Sequence, residues 1–443
     1  MTLRFGTDGV RGAANTELTP ELAMALGRAA ARTLGSGPWL VGRDTRVSGP
    51  LLHASFASGL ASEGADTVDL GVIPTPGVAH LCAADQVPGA MISASHNPFA
   101  DNGIKLFQTG GLKLDDARQD EVEAALESIE AEGIPGSDQR PGGQLVGALR
   151  SAPDAWERYA THLEDGVLEG RRLSGLRIVI DCAHGASSSA APRVLARLGA
   201  TVTVLHADPD GTNINDRCGS NHPEVLQAAV AARGADAGLA FDGDADRVVM
   251  VDADGELVDG DQLIALLALD LRDQGLLRDD AVVVTVMTNL GFRQAMGSHG
   301  IEVVDTPVGD RHVLAALEER NLSLGGEQSG HVILRDRTTT GDGLLTGVSV
   351  LDVMVRTDRT LAELAGVMAR LPQVLVNVAV ERSPDLMDRL APDIAQAEIA
   401  LAGRGRVLVR PSGTEPLVRV MVEAPTEAEA RQVAEDLAAR ISG

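Results

Sequence analysis

Hydrophobic and polar positions alternate along this chain in a recurring order: a short apolar run, a polar loop, then a stretch of helical period. "WLVGRDTRVSG" from Trp39, "LRIVIDCAHGASS" from Leu176 and "AVVVTVMTNLG" from Ala281 each open such a unit. Short Val/Ile/Leu runs separated by longer helical stretches predict sheets with parallel strands and helical crossovers. The openings lie roughly a hundred residues or more apart, one per ordinary α/β domain. Gly- and Pro-rich "AEGIPGSDQRPGGQLVGA" (131–148) reads as a first junction. A second falls near 253–260, where Asp254-Gly255 signals a hairpin, and a third near 368–376. The tail lacks the strand–loop–helix opening. Its strand patterns at 374–381, 406–410 and 417–423, with helical ones at 385–399 and 426–441, predict a small α+β domain. The expected fold class is α/β, with three related units of mixed sheet and helical crossover plus a smaller C-terminal domain. The expected boundaries are 1–150, 151–253, 254–370 and 371–443.

Composition narrows the chemistry. A chain of 443 residues exceeds one compact core. No apolar run reaches the length of about 18 residues needed to span a membrane, and no charged segment precedes an apolar stretch at Met1. A cytoplasmic protein is expected, with no membrane partner. Cys82, Cys182 and Cys218 are too few and too scattered for a disulfide framework or a zinc site, and are expected to be buried thiols. The net charge of −25 disfavours nucleic acid and anionic membranes as partners. Six Phe, two Trp and one Tyr leave little for stacking platforms. An anionic substrate must therefore be held by local Arg, Lys and backbone N–H groups, or through a metal.

"LAFDGDADRVVMVD" meets that requirement most directly. An apolar strand ends at Phe241, and Asp242, Asp244 and Asp246 follow at alternate positions. Three close carboxylates repel one another unless a cation neutralises them, and their hard oxygens suit Mg²⁺ or Ca²⁺. A calcium EF-hand would need Gly at position six and Glu at position twelve, where this chain has Arg247 and Ala253. Mg²⁺ is preferred, because its few protein ligands leave room for water and phosphate oxygens. In "VRPSGTEPLVRV" (409–420), Arg410 and Arg419 flank the loop Ser412-Gly413-Thr414, a setting for a phosphate. "LGGEQSGHVIL" places Glu327, Ser329 and His331 at alternate positions among glycines, suited to a polyhydroxylated or amino sugar. Arg11 in "FGTDGVRG", and Asp310 and Arg311 in "TPVGDRHV", could by themselves be surface charges.

"MISASHNPFADNGIKLF" (91–107) gathers Ser93, Ser95, His96, Asn97 and Lys105. Ser95 lacks both glycines of the G-x-S-x-G elbow, and the chain has neither a P-loop nor a G-x-G-x-x-G. By itself Ser95 reads as a turn residue. As a phosphoryl carrier it would need a metal and a nearby cation, which the Asp triplet and Lys105 could supply. Phosphoserine adds a charge of about −1.5 to −2. His96 reads as a turn-stabilising or orienting group.

With these motifs in order over nearly the whole length, the chain resembles the α-D-phosphohexomutase superfamily, and within it the members acting on glucosamine phosphates. The resemblance implies four domains around a central cleft, with the phosphoserine, metal, sugar and phosphate loops in domains one to four. It implies an intramolecular phosphotransferase interconverting glucosamine 6-phosphate and glucosamine 1-phosphate through a hexosamine 1,6-bisphosphate, which can also act as activator. The alternatives are a phosphomannomutase/phosphoglucomutase of the same superfamily and a non-catalytic sugar-phosphate-binding protein. The resemblance makes Ser95 the phosphoserine and, with Asp242, Asp244 and Asp246, a ligand of one Mg²⁺ per subunit. It places Lys105, Arg11, Arg247 and His331 near the reacting groups, with Lys105 or His331 as general base. Glu327 and Ser329 become the sugar-reading pair, with Asp310 and Arg311 as further substrate-binding candidates. Arg410, Ser412, Gly413, Thr414 and Arg419 become the phosphate cradle. The source of the first phosphate is left between a kinase and a bisphosphate, and the assembly between a monomer and a homodimer. The product is expected to feed UDP-N-acetylglucosamine and peptidoglycan synthesis.

Overall fold

A computed structural model describes residues 9–132, 140–168, 170–380, 386–411 and 417–442. The chain divides into two compact units, residues 1–286 with 304–365, and 287–303 with 366–443. No helix among the described residues is long and apolar enough to cross a membrane.

The first unit begins with a six-stranded sheet in the order β1-β5-β4-β2-β3-β6. Its strands are β1 (Val10–Ala13), β2 (Trp39–Arg43), β3 (Thr67–Val72), β4 (Gly89–Ile92), β5 (Asp101–Phe107) and β6 (Leu149–Ser151). β2 runs parallel to β3 and β4, whereas β5 runs antiparallel to β1 and β4. The helix Pro20–Leu34 starts at Thr19, whose hydroxyl accepts from Leu22 N (3.3 Å), with proline in its first turn. It meets the helix Gly49–Ser62 at backbone contact. A Cβ on Gly27 would lie 2.2 Å from Phe56 O, and one on Gly59 2.1 Å from Met24 O. On β5, Ile104 and Leu106 join the apolar core beneath these helices. Alternation then turns Lys105 to the opposite face.

The second sheet has the order β11-β10-β9-β7-β8, from β7 (Arg177–Asp181), β8 (Thr201–Leu205), β9 (Ala237–Phe241), β10 (Val248–Asp252) and β11 (Leu257–Val258). β7 is parallel to β8 and β9, and β10 returns antiparallel. Gly255, at φ +88°, turns the expected Asp254-Gly255 hairpin between β10 and β11. The third sheet has the order β13-β12-β14-β15. Its strands are β12 (Ala281–Thr285), β13 (Glu302–Thr306), β14 (Leu324–Gly326) and β15 (Val332–Leu334), with β12 parallel to β14.

The second unit holds a three-stranded antiparallel sheet, β16 (Gln373–Ala379), β18 (Leu417–Glu423) and β17 (Arg406–Pro411) in that order, with helices Leu386–Leu401 and Glu427–Ser442. Three α/β units and a smaller C-terminal α+β domain are thus present, as the hydropathy pattern predicts, and each of the three larger sheets adds antiparallel strands to its parallel ones. The three cysteines are free and buried.

Candidate functional site

The loops that carry chemistry follow the C-terminal ends of parallel strands, the usual place for ligands in open α/β sheets. β4 leads to Ser95, β9 to the Asp triplet, and β14 to Glu327. Ser95 is buried and held at φ +51°, a strained setting for a non-glycine residue. Its Oγ donates to Asp242 Oδ2 at 2.6 Å, joining positions 147 residues apart in sequence. The Ser95 N–H donates to Ser93 Oγ (3.0 Å), whose hydroxyl donates to Asp44 Oδ2 (2.6 Å).

Arg46 fastens this loop. Its side chain is fully buried, and Nε donates to Asp44 Oδ2 at 2.9 Å. Nη2 donates to Ser95 O (2.9 Å) and Asn97 O (2.8 Å), while Nη1 donates to Asp101 O (3.0 Å) and to Pro98 O. Asn215 adds its amide to Ser95 O (2.9 Å) and Asn97 O (3.0 Å) from the loop that follows β8. Sequence reasoning missed both residues. Arg46 stands inside "GRDTRVSG", where a charged residue flanked by polar ones gives no sign that it will be buried.

Asp242, Asp244 and Asp246 are buried, and their carboxylate oxygens come within 4.8 Å of one another. Burial, then Asp246 and Asp244, push the Asp242 carboxyl well above the ordinary range. Lys105 Nζ donates to Asp244 Oδ2 (2.8 Å) and Asp246 Oδ2 (3.2 Å), and Arg247 Nε lies 3.9 Å from Asp246 Oδ1. Thr75 Oγ1, another residue missed from the sequence, donates to Asp244 Oδ2 at 2.6 Å. Asp244 Oδ1 is buried with no hydrogen-bond partner among the described residues. Such an orphaned hard oxygen beside two further carboxylates and the Ser95 hydroxyl fits a divalent cation.

The remaining candidates divide. Arg11 on β1 pairs in register with Gly103 on β5. His96 feels burial first and then the charges of Arg247 and Arg11, which lower its imidazole to about 4, so it is neutral at physiological pH. Glu327 is half-buried, and its Oε1 accepts from Gly309 N at 3.1 Å. Ser329 is exposed, whereas His331 is buried with Nε2 3.5 Å from Asp310 Oδ2, so the alternate positions do not share one face. The hairpin seats on the Asp-triplet loop through Val248 N, which donates to Gly330 O (3.1 Å). A Cβ on Gly330, at φ +92°, would fall 2.1 Å from Val248 O. Asp310 opens the helix Asp310–Glu319 and also pairs with Lys113, while Arg311 Nη1 donates to Asp116 Oδ1 at 2.8 Å.

In the second unit, Arg410 on β17 stands directly across from Arg419 on β18. Burial, then Arg419, lower the Arg410 guanidinium from its ordinary value. Two opposed guanidiniums repel unless an anion lies between them. Ser412, Gly413 and Thr414 lie outside the described residues, as do Phe5–Asp8 of the N-terminal motif.

Comparison with known proteins gives concordant matches. Models for phosphoglucomutase/phosphomannomutase alpha/beta/alpha domains I, II and III match residues 2–133, 157–255 and 259–371, and the C-terminal domain model matches 375–440. A Frankia alni protein named phosphoglucosamine mutase is 54% identical, covering 99% of this chain and 98% of its own. One of the same name from Symbiobacterium thermophilum is 52% identical with the same coverage. A solved phosphoglucomutase/phosphomannomutase family protein from Burkholderia thailandensis superposes with a TM-score of 0.81 at 26% identity, over 98% of this chain and 96% of its own. The Aspergillus fumigatus N-acetylphosphoglucosamine mutase, solved with GlcNAc-6P and magnesium, has the same fold at 19% identity, with a TM-score of 0.70 over 100% of this chain and 96% of its own.

Proposed function

The chain belongs to the phosphoglucomutase/phosphomannomutase family, and on that premise we propose that it interconverts glucosamine 6-phosphate and glucosamine 1-phosphate. The observation that carries this reading is the identity of about 52%, over nearly the full chain, with relatives named phosphoglucosamine mutase. The finer assignment rests on the chemistry of the loops. Ser95 carries a phosphoryl group, and Ser95, Asp242, Asp244 and Asp246 hold Mg²⁺. When bound, the cation neutralises charge on the group in transfer.

In the forward direction O1 of glucosamine 6-phosphate attacks phosphorus, the P–Oγ bond breaks, and the O1 proton passes through a base to Ser95 Oγ. The 1,6-bisphosphate then presents its other phosphate. The P–O6 bond breaks as Ser95 Oγ attacks, the proton returns to O6, and glucosamine 1-phosphate leaves. Such chemistry asks the protein for positioning and charge. Lys105 is bonded to two carboxylates, which supports its role as a fixed positive charge alongside Arg11 and Arg247. His331, neither of whose ring nitrogens is hydrogen-bonded among the described residues, is then the better general base. Glu327 and Ser329 read the sugar, with Asp310 and Arg311 behind them. Arg410 and Arg419, with Ser412, Gly413 and Thr414, grip the phosphate that is not reacting. The product suits a nucleotidyl transfer toward UDP-N-acetylglucosamine. The domain boundaries proposed are 1–150, 151–253, 254–370 and 371–443.

Intact-protein mass spectrometry should find a single phosphate, lost in Ser95→Ala, and that variant should keep its fold but not its turnover. Wild-type activity in Ser95→Ala would overturn the phosphoserine. A clear preference for mannose or glucose 6-phosphate over glucosamine 6-phosphate would overturn the substrate assignment.

A further inference from the structure

A second group of potential metal ligands lies in the second sheet, built from residues that the proposed phosphoryl transfer does not use. Asp181 is the last residue of β7, and its in-register partner on β8 is Leu205, so His206 emerges beside it at the same sheet end. Cys218 enters from the loop that follows. A carboxylate oxygen of Asp181, a ring nitrogen of His206 and the sulfur of Cys218 lie within 4.8 Å of one another. Asp181 and Cys218 are buried, whereas the His206 side chain is 27% exposed and gives the cluster a face to solvent. Asp181 accepts from Ala183 N (2.9 Å) through Oδ1 and lies 2.9 Å from His206 Nδ1 through Oδ2. Among the described residues no lysine or arginine is ion-paired with this buried carboxylate.

We propose that Asp181, His206 and Cys218 form a binding site for a soft or borderline divalent cation of the Zn²⁺ class, separate from the Asp triplet. The donor set decides the class. A mixed oxygen, nitrogen and sulfur set suits Zn²⁺, whereas Mg²⁺ takes oxygen and water. Closing on bonds of about 2.0–2.3 Å requires side-chain shifts on the order of an ångström or less. Water supplies the fourth position. A redox thiol is the competing use of Cys218, and the surroundings argue against it: reactive cysteines sit beside cations, whereas the charged group beside Cys218 is the buried Asp181 carboxylate.

The site has a mechanical consequence. Cys218 and Asn215 share one loop, and Asn215 holds the carbonyls of Ser95 and Asn97. A cation at Cys218 ties that loop to the ends of β7 and β8, and so braces the loop that carries Ser95. This holds whether or not Ser95 is phosphorylated.

Titration of the full-length protein with Co²⁺, in excess Mg²⁺ to keep the Asp triplet filled, tests the site. The expected result is a thiolate-to-cobalt charge-transfer absorption saturating at one cobalt per chain and displaced by Zn²⁺. It should vanish in Cys218→Ser and persist in Cys82→Ser. His206→Asn is the second variant, because Asn tolerates the left-handed backbone at that position (φ +47°), and it should weaken cobalt binding without unfolding the protein. No charge-transfer absorption in the wild type, or one that survives Cys218→Ser, overturns the proposal.

Discussion

Replacing Arg46 by methionine should unfasten the Ser95 loop, and the structure sets the size of the effect. The substitution roughly keeps the volume but leaves the fully buried Asp44 without its cation. Breaking a buried ion pair from one side costs about 3–5 kcal/mol. Of the four carbonyls that Arg46 serves, Ser95 O and Asn97 O keep the Asn215 amide, and Pro98 O keeps Asp101 N at 3.1 Å. Their loss adds about 1 kcal/mol. The expected destabilisation is therefore about 4–6 kcal/mol, a large share of the roughly 5–15 kcal/mol of a typical domain. Burial raises the Asp44 carboxyl and Arg46 opposes that rise, so the single variant leaves an acid that folds more readily when neutral. Removing that charge as well, in Asp44→Asn/Arg46→Met, should restore about 2–3 kcal/mol through the coupling of contacting residues. Trp39 is fully buried in the same sheet, and its fluorescence in a Trp156→Phe background reports urea unfolding of this region. A loss below about 1.5 kcal/mol, half the lower bound for a broken buried pair, or a double variant no more stable than Arg46→Met, would refute the reasoning.

Three further outcomes are expected. Asp242→Asn relieves one of three crowded carboxylates, so in EDTA it should unfold at a higher temperature than the wild type, while Mg²⁺ should stabilise it less; a lower temperature in EDTA would contradict the crowding. Arg419→Ala should raise KM for the sugar phosphate roughly 10–100-fold, as expected for a lost charged hydrogen bond, with little change in kcat; an unchanged KM would remove Arg419 from the phosphate cradle. Asp342 caps the helix Gly343–Thr357 and accepts from the buried Tyr159 hydroxyl (2.8 Å), and burial raises its carboxyl from 3.8 to about 7. Because the folded state holds this proton more tightly, the stability it contributes is full below pH 3.8 and is lost as pH rises through about 7. At roughly 1.4 kcal/mol per pH unit this amounts to about 4 kcal/mol at most. Asp342→Asn should flatten the stability profile across that window, and urea midpoints that keep the wild-type pH dependence would count against it.

Much of this protein was legible before any coordinates. Val, Ile and Leu runs bounded by polar loops identify β2, β7 and β12, since a strand buried on both faces has no polar position to break the run. Asp242, Asp244 and Asp246 could be singled out as a candidate metal loop because all three occupy a single turn after one apolar strand. The opposition of Arg410 and Arg419 follows from the antiparallel register of β17 and β18, strands close in sequence, which is also a local feature. For Cys218 the opposite holds. Scattered spacing argued against a metal site at the cysteines, yet the fold brings Asp181, His206 and Cys218 together from three separate segments.

What the amino-acid order determined by itself, then, is everything that depends on neighbours within about ten residues: strand and helix periods, turn glycines and the chemistry of single loops. Tertiary structure decided which loops meet. Ser95 reaches Asp242, Lys105 reaches Asp244 and Asp246, and Thr75 reaches Asp244 because the segments after β3, β4 and β9, with Lys105 on β5, come together in the first unit. Arg46 and Asn215 became visible as the fasteners of the Ser95 loop only once their donors were seen on its carbonyls. The physical reason is that hydropathy encodes which face of an element is buried, whereas strand order and sheet-to-sheet packing choose the partners. That choice is made by the summed burial of whole elements, and no local period in the chain records it.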